Sequence, residues 1–290
     1  MLRNELLDFC TAHGIKGTII LANEGINGTI SGSPGEIDNV INYLRKYTVF
    51  SDLEFKYSEF NETPFYRMKV KIKREIVTMG IPQINPDKLV GKYMDAKEWN
   101  DLITEPDVLV LDTRNQYEYE IGTFKNAVSP NTETFREFPE FVENNLDHER
   151  HRKIAMFCTG GIRCEKATSY LLSKGFENVF HLQGGILKYL EDVSQQENLW
   201  EGDCFVFDNR VAVDKNLKKG GYEMCFACRM PVSPNDKLSE FYQEGISCPR
   251  CYDKTSAEKR KGLAERQKQV QLAAQRNDQH IGKKLQKSCA

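Results

Sequence analysis

The chain has 290 residues, 40% of them hydrophobic and 28% charged, with a formal net charge of −2 at pH 7. That length allows two or three cores rather than one, and no run approaches the roughly 18 consecutive apolar residues of a membrane helix. The opening stretch MLRNELLDFCTAHG carries Glu5 and Asp8 and lacks a continuous apolar core, so it does not read as a signal peptide, and a cytoplasmic protein is expected.

Residues 1–85 read as a first domain of alternating helix and strand. LRNELLDFCTAHG places Leu2, Leu6, Leu7 and Phe9 at helical spacing and stops at Gly14. KGTIILA and NGTISG are short β-branched runs joined by NEGIN, a hairpin signal. SPGEIDNVINYLRKY is an amphipathic helix with Ile37, Val40, Ile41 and Leu44 on one face, and LEFKYSEF and YRMKVKIK alternate as strands do. The order α-β-β-α-β-β is that of a ferredoxin-like α+β domain without its first strand, so a truncated start is expected. In the last strand Arg67, Lys69, Lys71 and Lys73 project to one face by the period of two. Such a row suits RNA phosphates, or a solvated edge.

GIPQINPDKLVGKY is a linker by composition. Residues 93–199 alternate again. DVLVLDTR and KIAMFC are buried strands, with a turn and a helical segment between them. CEKATSYLLSKGF is a helix ending at Gly175, and NVFHLQGGILKYL is a strand, a Gly-Gly turn and a helix. Strands separated by helices predict a parallel sheet with helices on both faces. A cysteine-rich module over 200–253 and a basic tail over 254–290 follow. The tail holds ten Lys or Arg against three acids, which reads as a solvated helix or a disordered tail, or as a handle for a polyanion.

The stretch CTGGIRCEK carries the chemistry. Cys158 sits where a buried strand ends and a helix begins, the place where open α/β sheets bind ligands. Thr159, Gly160, Gly161 and Ile162 separate it from Arg163. The glycines let successive amides turn inward, and the helix N-terminus and the arginine add positive potential; all three favour a thiolate at Cys158. Cysteine phosphatases resemble C-x5-R. This C-x4-R loop is one residue tighter, better matched to a persulfide sulfur than to phosphate. Upstream, LDTRNQYEYEIGTFKNA resembles the D-x-R-x-x-x-E-x-x-x-G-h-I-x-x-A signature of rhodanese domains, with Asp112, Arg114, Glu118, Gly122 and Ala127 in place. Cys164, next to Arg163, reads as a redox partner of Cys158 or as a small apolar helix residue.

Nine cysteines, an odd number, without a secretory signal argue against a disulfide framework. Cys225, Cys228, Cys248 and Cys251 form a C-x2-C-x19-C-x2-C pattern with the spacing of a structural zinc site, whose four thiolates would leave no open position for oxygen chemistry. Cys10, Cys204 and Cys289 are solitary. Arg229, beside the first pair, joins the RNA-binding candidates. No G-x-G-x-x-G dinucleotide fingerprint appears, and the five histidines form no two-histidine-one-carboxylate pattern. His148 and His151, in DHERHRK, read as solvated surface.

IKGTIILANEGINGTISG, PNTETFREFPEFV, FCTGGIRCEKA and CRMPVSPNDKLSEFYQEGISCPRC occur together and in order. On these motifs the chain is similar, over nearly residues 5–255, to the bacterial tRNA uridine hydroxylases, a rhodanese-containing family. The resemblance implies tRNA as partner, molecular oxygen as co-substrate, and 5-hydroxylation of the wobble uridine, U34, with the family's essential cysteine corresponding to Cys158. That family begins with a strand before its first helix, which is absent here. The alternative is a rhodanese-type sulfurtransferase carrying a persulfide on Cys158. A third reading, an RNA-binding zinc scaffold with a vestigial loop, is opposed by the intact cysteine, glycines and arginine.

Overall fold

The computed structural model describes residues 2–278 and 280–282. The chain divides into two compact units, Met1–Ile76 with Glu223–Ala290, and Val77–Tyr222.

The first unit opens with α1 (Leu2–Ala12), β1 (Lys16–Ala22), β2 (Gly25–Ser31), α2 (Pro34–Arg45) and β3 (Met68–Ile72). β1 lies in the middle of a three-stranded sheet, antiparallel to β2 and parallel to β3. Alternate residues of β1 turn inward, and Ile19 and Leu21 join Leu6, Cys10, Val40, Leu44 and Val70 in one core under the two helices. Of the two strands expected after α2, only the second pairs. LEFKYSEF forms no ladder because its alternation has no buried face to fix a register: Phe55 is half-buried, and Tyr57 and Phe60 are exposed.

The second unit runs through β4 (Lys92–Met94), α3 (Ala96–Ile103), β5 (Val108–Asp112), α4 (Gln116–Tyr119), β6 (Gly122–Phe124), α5 (Phe138–Asn145), β7 (Lys153–Phe157), α6 (Ile162–Ser173), β8 (Asn178–Leu182) and α7 (Gly185–Asp192). Strands β4, β8, β7 and β5 lie side by side in that order, all parallel. β7 shows why the sheet needs two layers of helix. Ala155 and Phe157 enter a core with Trp99 of α3 and Tyr189 of α7, while Ile154 and Met156 enter another with Phe138 of α5 and Tyr170 of α6.

Three short strands complete this unit: β9 (Trp200–Gly202), β10 (Cys204–Phe205) and β11 (Ala212–Val213). β9 pairs antiparallel with β6, and β10 with β11. Trp200, Cys204, Val206 and Val213 are buried in the core that holds Phe157. At the other end, Met79 is buried in the core that holds Ile154 and Met156, with Val77, Ile81 and Ile84 packed against it. The compact unit, Val77–Tyr222, thus takes in apolar residues on each flank that help to cover the sheet.

The first unit resumes with β12 (Glu223–Met224), β13 (Pro231–Val232) and α8 (Ala257–Gln275). Part of the expected basic tail is thus a helix, capped by the Ser256 hydroxyl, which accepts from the Lys259 amide at 3.3 Å, with Leu263 and Gln267 buried. Lys283, Lys284, Lys287 and Cys289 lie outside the described residues.

Candidate active site

Cys158, Thr159, Gly160 and Gly161 connect β7 to α6 at the carboxyl end of the parallel sheet. Gly161 holds φ = +96°, which a side chain would resist, and its amide donates to the Cys158 sulfur at 3.1 Å. The amides of Arg163 and Cys164, in the first turn of α6, also favour the thiolate, although the Cys164 amide donates to the Gly161 carbonyl at 2.9 Å. The loop's carbonyls turn the other way. Ile186 N–H donates to the Cys158 carbonyl at 2.9 Å, and Leu187 N–H to that of Thr159 at 3.1 Å, so the N-terminus of α7 braces the loop from behind. The expected Gly-Gly turn makes this possible. A Cβ on Gly185 would stand 2.5 Å from the Cys158 carbonyl oxygen and 2.7 Å from the Gly161 nitrogen.

Cys158 is only 1% exposed. Burial alone would raise its pKa, but hydrogen bonding to Cys164, the charge of Arg163 and the two amides outweigh it, and the thiol ends below its ordinary range. Cys164 moves the other way. Burial and the neighbouring Cys158 push it well above its ordinary value, so it stays protonated and can donate S–H to the Cys158 thiolate. The Thr113 hydroxyl donates to the Phe157 carbonyl at 3.0 Å and lies 3.5 Å from the Cys164 sulfur. The loop therefore holds one reactive sulfur with a second in hydrogen-bonding reach.

The signature residues make two sealed ion pairs. Arg114 meets Asp112 with two prongs of 2.9 and 2.6 Å and donates to the Gly122 carbonyl at 2.6 Å, both side chains fully buried. Its guanidinium lies 5.1 Å from the Trp200 ring. Arg163 meets Glu118, 2.7 Å at each prong. Arg163 thus acts on Cys158 through its charge and its backbone amide, while Glu118 holds its guanidinium.

Sequence reasoning missed an aromatic rim. The Thr159 hydroxyl donates to the Phe205 carbonyl at 3.5 Å. The Phe205 ring meets Tyr117 at 5.1 Å and Phe207 at 5.0 Å, and the Arg163 guanidinium lies 5.8 Å from the Phe207 ring. The run CFVFD was the available signal, but two-residue strands leave no periodicity to read.

The first unit carries a candidate metal centre. The sulfurs of Cys225, Cys228, Cys248 and Cys251 all lie within 4.8 Å of one another. Cys225–Cys251 is 3.9 Å, and Cys228–Cys248 and Cys248–Cys251 are each 3.7 Å. A tetrahedron with metal–sulfur bonds of about 2.3 Å has edges of about 3.8 Å, whereas a disulfide needs about 2.05 Å. The set fits a thiolate-bound tetrahedral metal and leaves no protein position open for a substrate. Arg229 sits in the first knuckle at φ = +67°, its amide donating to the Cys225 carbonyl at 2.8 Å. α8 docks there, since Arg266 donates to the carbonyls of Phe226 and Gly245 at 3.1 and 3.3 Å.

Arg67, Lys69 and Lys71 are exposed while Val70 between them is buried, and Lys73 is exposed just beyond β3. The Lys69 ammonium is drawn down by partial burial, then by the positive charges of Arg67, Lys71 and Arg229. Burial and Arg229 likewise lower Arg266. Arg229 is thus within electrostatic reach of both Lys69 and Arg266, which was not singled out in the sequence. Of the two histidines read as surface, His148 stacks on Phe176 at 4.1 Å and His151 accepts from the Asp147 amide at 3.0 Å.

Residues 1–76 match the UPF0176 acylphosphatase-like domain, and residues 95–192 match the rhodanese-like domain. Among solved structures, a rhodanese-like domain from Anabaena sp. is 23% identical over 38% of this chain and 78% of that one, with a TM-score of 0.32. A rhodanese-related protein from Thermoplasma volcanium is 25% identical over 35% and 92%, TM-score 0.30. A rhodanese-like domain protein from Staphylococcus aureus is 23% identical over 34% and 90%, TM-score 0.29. Among the described residues no helix is long and apolar enough to cross a membrane.

Proposed function

Because the chain has the domain architecture of the tRNA uridine hydroxylase (UPF0176) family, an acylphosphatase-like domain ahead of a rhodanese domain, we propose that it hydroxylates carbon 5 of the wobble uridine of tRNA. Cys158 is the acting thiol, molecular oxygen the co-substrate and the cytoplasm the site of action. The observation that carries this reading is the loop itself: the Gly161 amide donates to the Cys158 sulfur at 3.1 Å, where the charge of Arg163 and a hydrogen bond to Cys164 also favour the thiolate. A thiolate can add to carbon 6 of uracil, forming a C–S bond and placing an electron pair on carbon 5, where an oxidant attacks. Later cleavage of that C–S bond returns the sulfur. The overall conversion of C–H and O2 to C–OH and water needs two further electrons and two protons. Oxidation of two thiols to a disulfide supplies both, and in this reading Cys158 and Cys164 are those two thiols. Zinc in the four-cysteine cluster would hold that module together and take no part in the oxygen chemistry.

The test is mass spectrometry of tRNA nucleosides from cells lacking the gene, rescued with the wild-type chain or with Cys158→Ser. Return of 5-hydroxyuridine with the wild type alone supports the reading. A level that never depended on the gene sinks it, and transfer of sulfur from thiosulfate to cyanide then becomes the activity to measure.

A further inference from the structure

The β10–β11 hairpin lies beyond residue 192, where the match to the rhodanese domain ends. Its turn, 206–211, is built to stay put. The Val206 amide donates to the Val211 carbonyl at 2.9 Å, and both side chains are buried. Arg210 meets Asp208 with prongs of 3.0 and 2.6 Å. Val211 holds φ = +66°, a conformation that a β-branched residue adopts only when its surroundings impose it. From this fixed turn Phe207 stands 63% exposed. Its two immediate neighbours, Val206 and Asp208, are buried, so this large apolar side chain is exposed on an anchored backbone.

Phe207 is also in a specific place. Its ring is edge-on to Phe205, whose carbonyl accepts from Thr159, and it lies beside the Arg163 guanidinium. Thr159 and Arg163 both belong to the Cys158 loop. A Cβ on Gly160 would meet nothing within 4 Å, so the loop has open space at that residue. An aromatic face held at the rim of a nucleophilic loop offers nothing to a small inorganic sulfur donor. It offers a stacking surface to a flat heterocycle, and the positive charge of Arg163, held by Glu118, lies beside the same ring.

Resting on the hydroxylase reading, we propose that Phe207 is the platform on which the extruded uracil stacks while Cys158 reaches it. Bases that enzymes act upon are taken out of the helix or loop and read between aromatic side chains.

The experiment measures, without oxygen so that no turnover occurs, the affinity of the full chain for two RNAs. One is an anticodon stem-loop with uridine at the wobble position, the other the same stem-loop with an abasic site there. Wild type, Phe207→Ala and Phe207→Trp are compared, with Cys158 alkylation by iodoacetamide as a check on the loop. Phe207→Ala should weaken binding of the uridine RNA about ten- to a hundredfold, leave the abasic RNA unchanged, and alkylate as wild type does. Phe207→Trp should restore the difference between the two RNAs. Equal binding of both RNAs by the wild type overturns the platform, as does a Phe207→Ala loss that is the same for both RNAs or that comes with altered alkylation. The hydroxylase reading stands or falls separately, on 5-hydroxyuridine in cellular tRNA.

Discussion

Arg163 and Glu118, 45 residues apart in the chain, meet in a two-pronged ion pair of 2.7 Å contacts sealed inside the rhodanese domain. The pair keeps a positive charge beside Cys158 while leaving no buried charge alone. Glu118→Gln should therefore lower the domain's stability by about 3–5 kcal/mol, because it strands a buried guanidinium. Urea unfolding followed by circular dichroism measures this. A change below about 1 kcal/mol would mean that Arg163 finds water or another partner.

The thiolate is the species that alkylates, and its fraction rises with pH. Since Cys158 lies below the ordinary thiol range, its alkylation rate should level off at a lower pH than that of an unperturbed thiol, near about 8.5. Cys164→Ala removes an S–H donor to the anion, so the midpoint should move up and the rate at neutral pH should fall several-fold. Mass spectrometry of the Cys158 peptide gives both profiles. Superimposable profiles would show that Cys164 does not stabilise the thiolate.

Gly185 is fixed by geometry in two ways, its φ of +72° and the 2.5 Å that would separate a Cβ from the Cys158 carbonyl oxygen. Gly185→Ala should cost about 2 kcal/mol or more and displace the loop. Thermal unfolding and Cys158 alkylation should both change. A variant with wild-type melting and wild-type alkylation would contradict the bracing role given to α7.

The purified chain should carry about one zinc, measured by mass spectrometry of the metal. Removing it with a chelator, or by Cys248→Ser, should abolish hydrogen-exchange protection across 223–252, since metal binding and folding of such modules are one process. Protection that survives without the metal would show that α8 and the β12–β13 hairpin hold the module unaided.

Lys69→Gln and Arg229→Gln should weaken RNA binding by similar factors whatever the sequence. Each should also make the logarithm of affinity less steeply dependent on salt, by about one unit of slope, because one phosphate is no longer neutralised. Affinity measured over a series of potassium chloride concentrations tests this. An unchanged slope would make the row a solvated edge.

Features set by neighbouring residues were legible from sequence. The C-x4-R loop, its glycines and the strand and helix around it are local, as are the C-x-x-C pairs. Partnerships across the chain were not. The signature spacing marks Asp112, Arg114 and Glu118, but nothing in it says that Glu118 holds Arg163 or that Asp112 holds Arg114 against Trp200. LEFKYSEF had the right alternation for a strand and still formed no ladder, because a period of two fixes neither a partner nor a buried face. Phe207 escaped notice because it stands in the turn between two two-residue strands, which the core they lean on fixes.

Val77, Met79, Ile81 and Ile84 lie on the cluster that contains Cys158 and Cys164, and the Lys166 ammonium donates to the Val77 carbonyl at 2.8 Å. Trimming to the matched rhodanese segment, 95–192, would strip Val77, Met79, Ile81 and Ile84 from the core that contains both sulfurs and remove Trp200 from Arg114. An excised domain that keeps its core has to begin by Val77 and run to Tyr222, because Ile81 and Ile84, inside the stretch that looks like a tether in the sequence, pack on the cluster that holds both thiols.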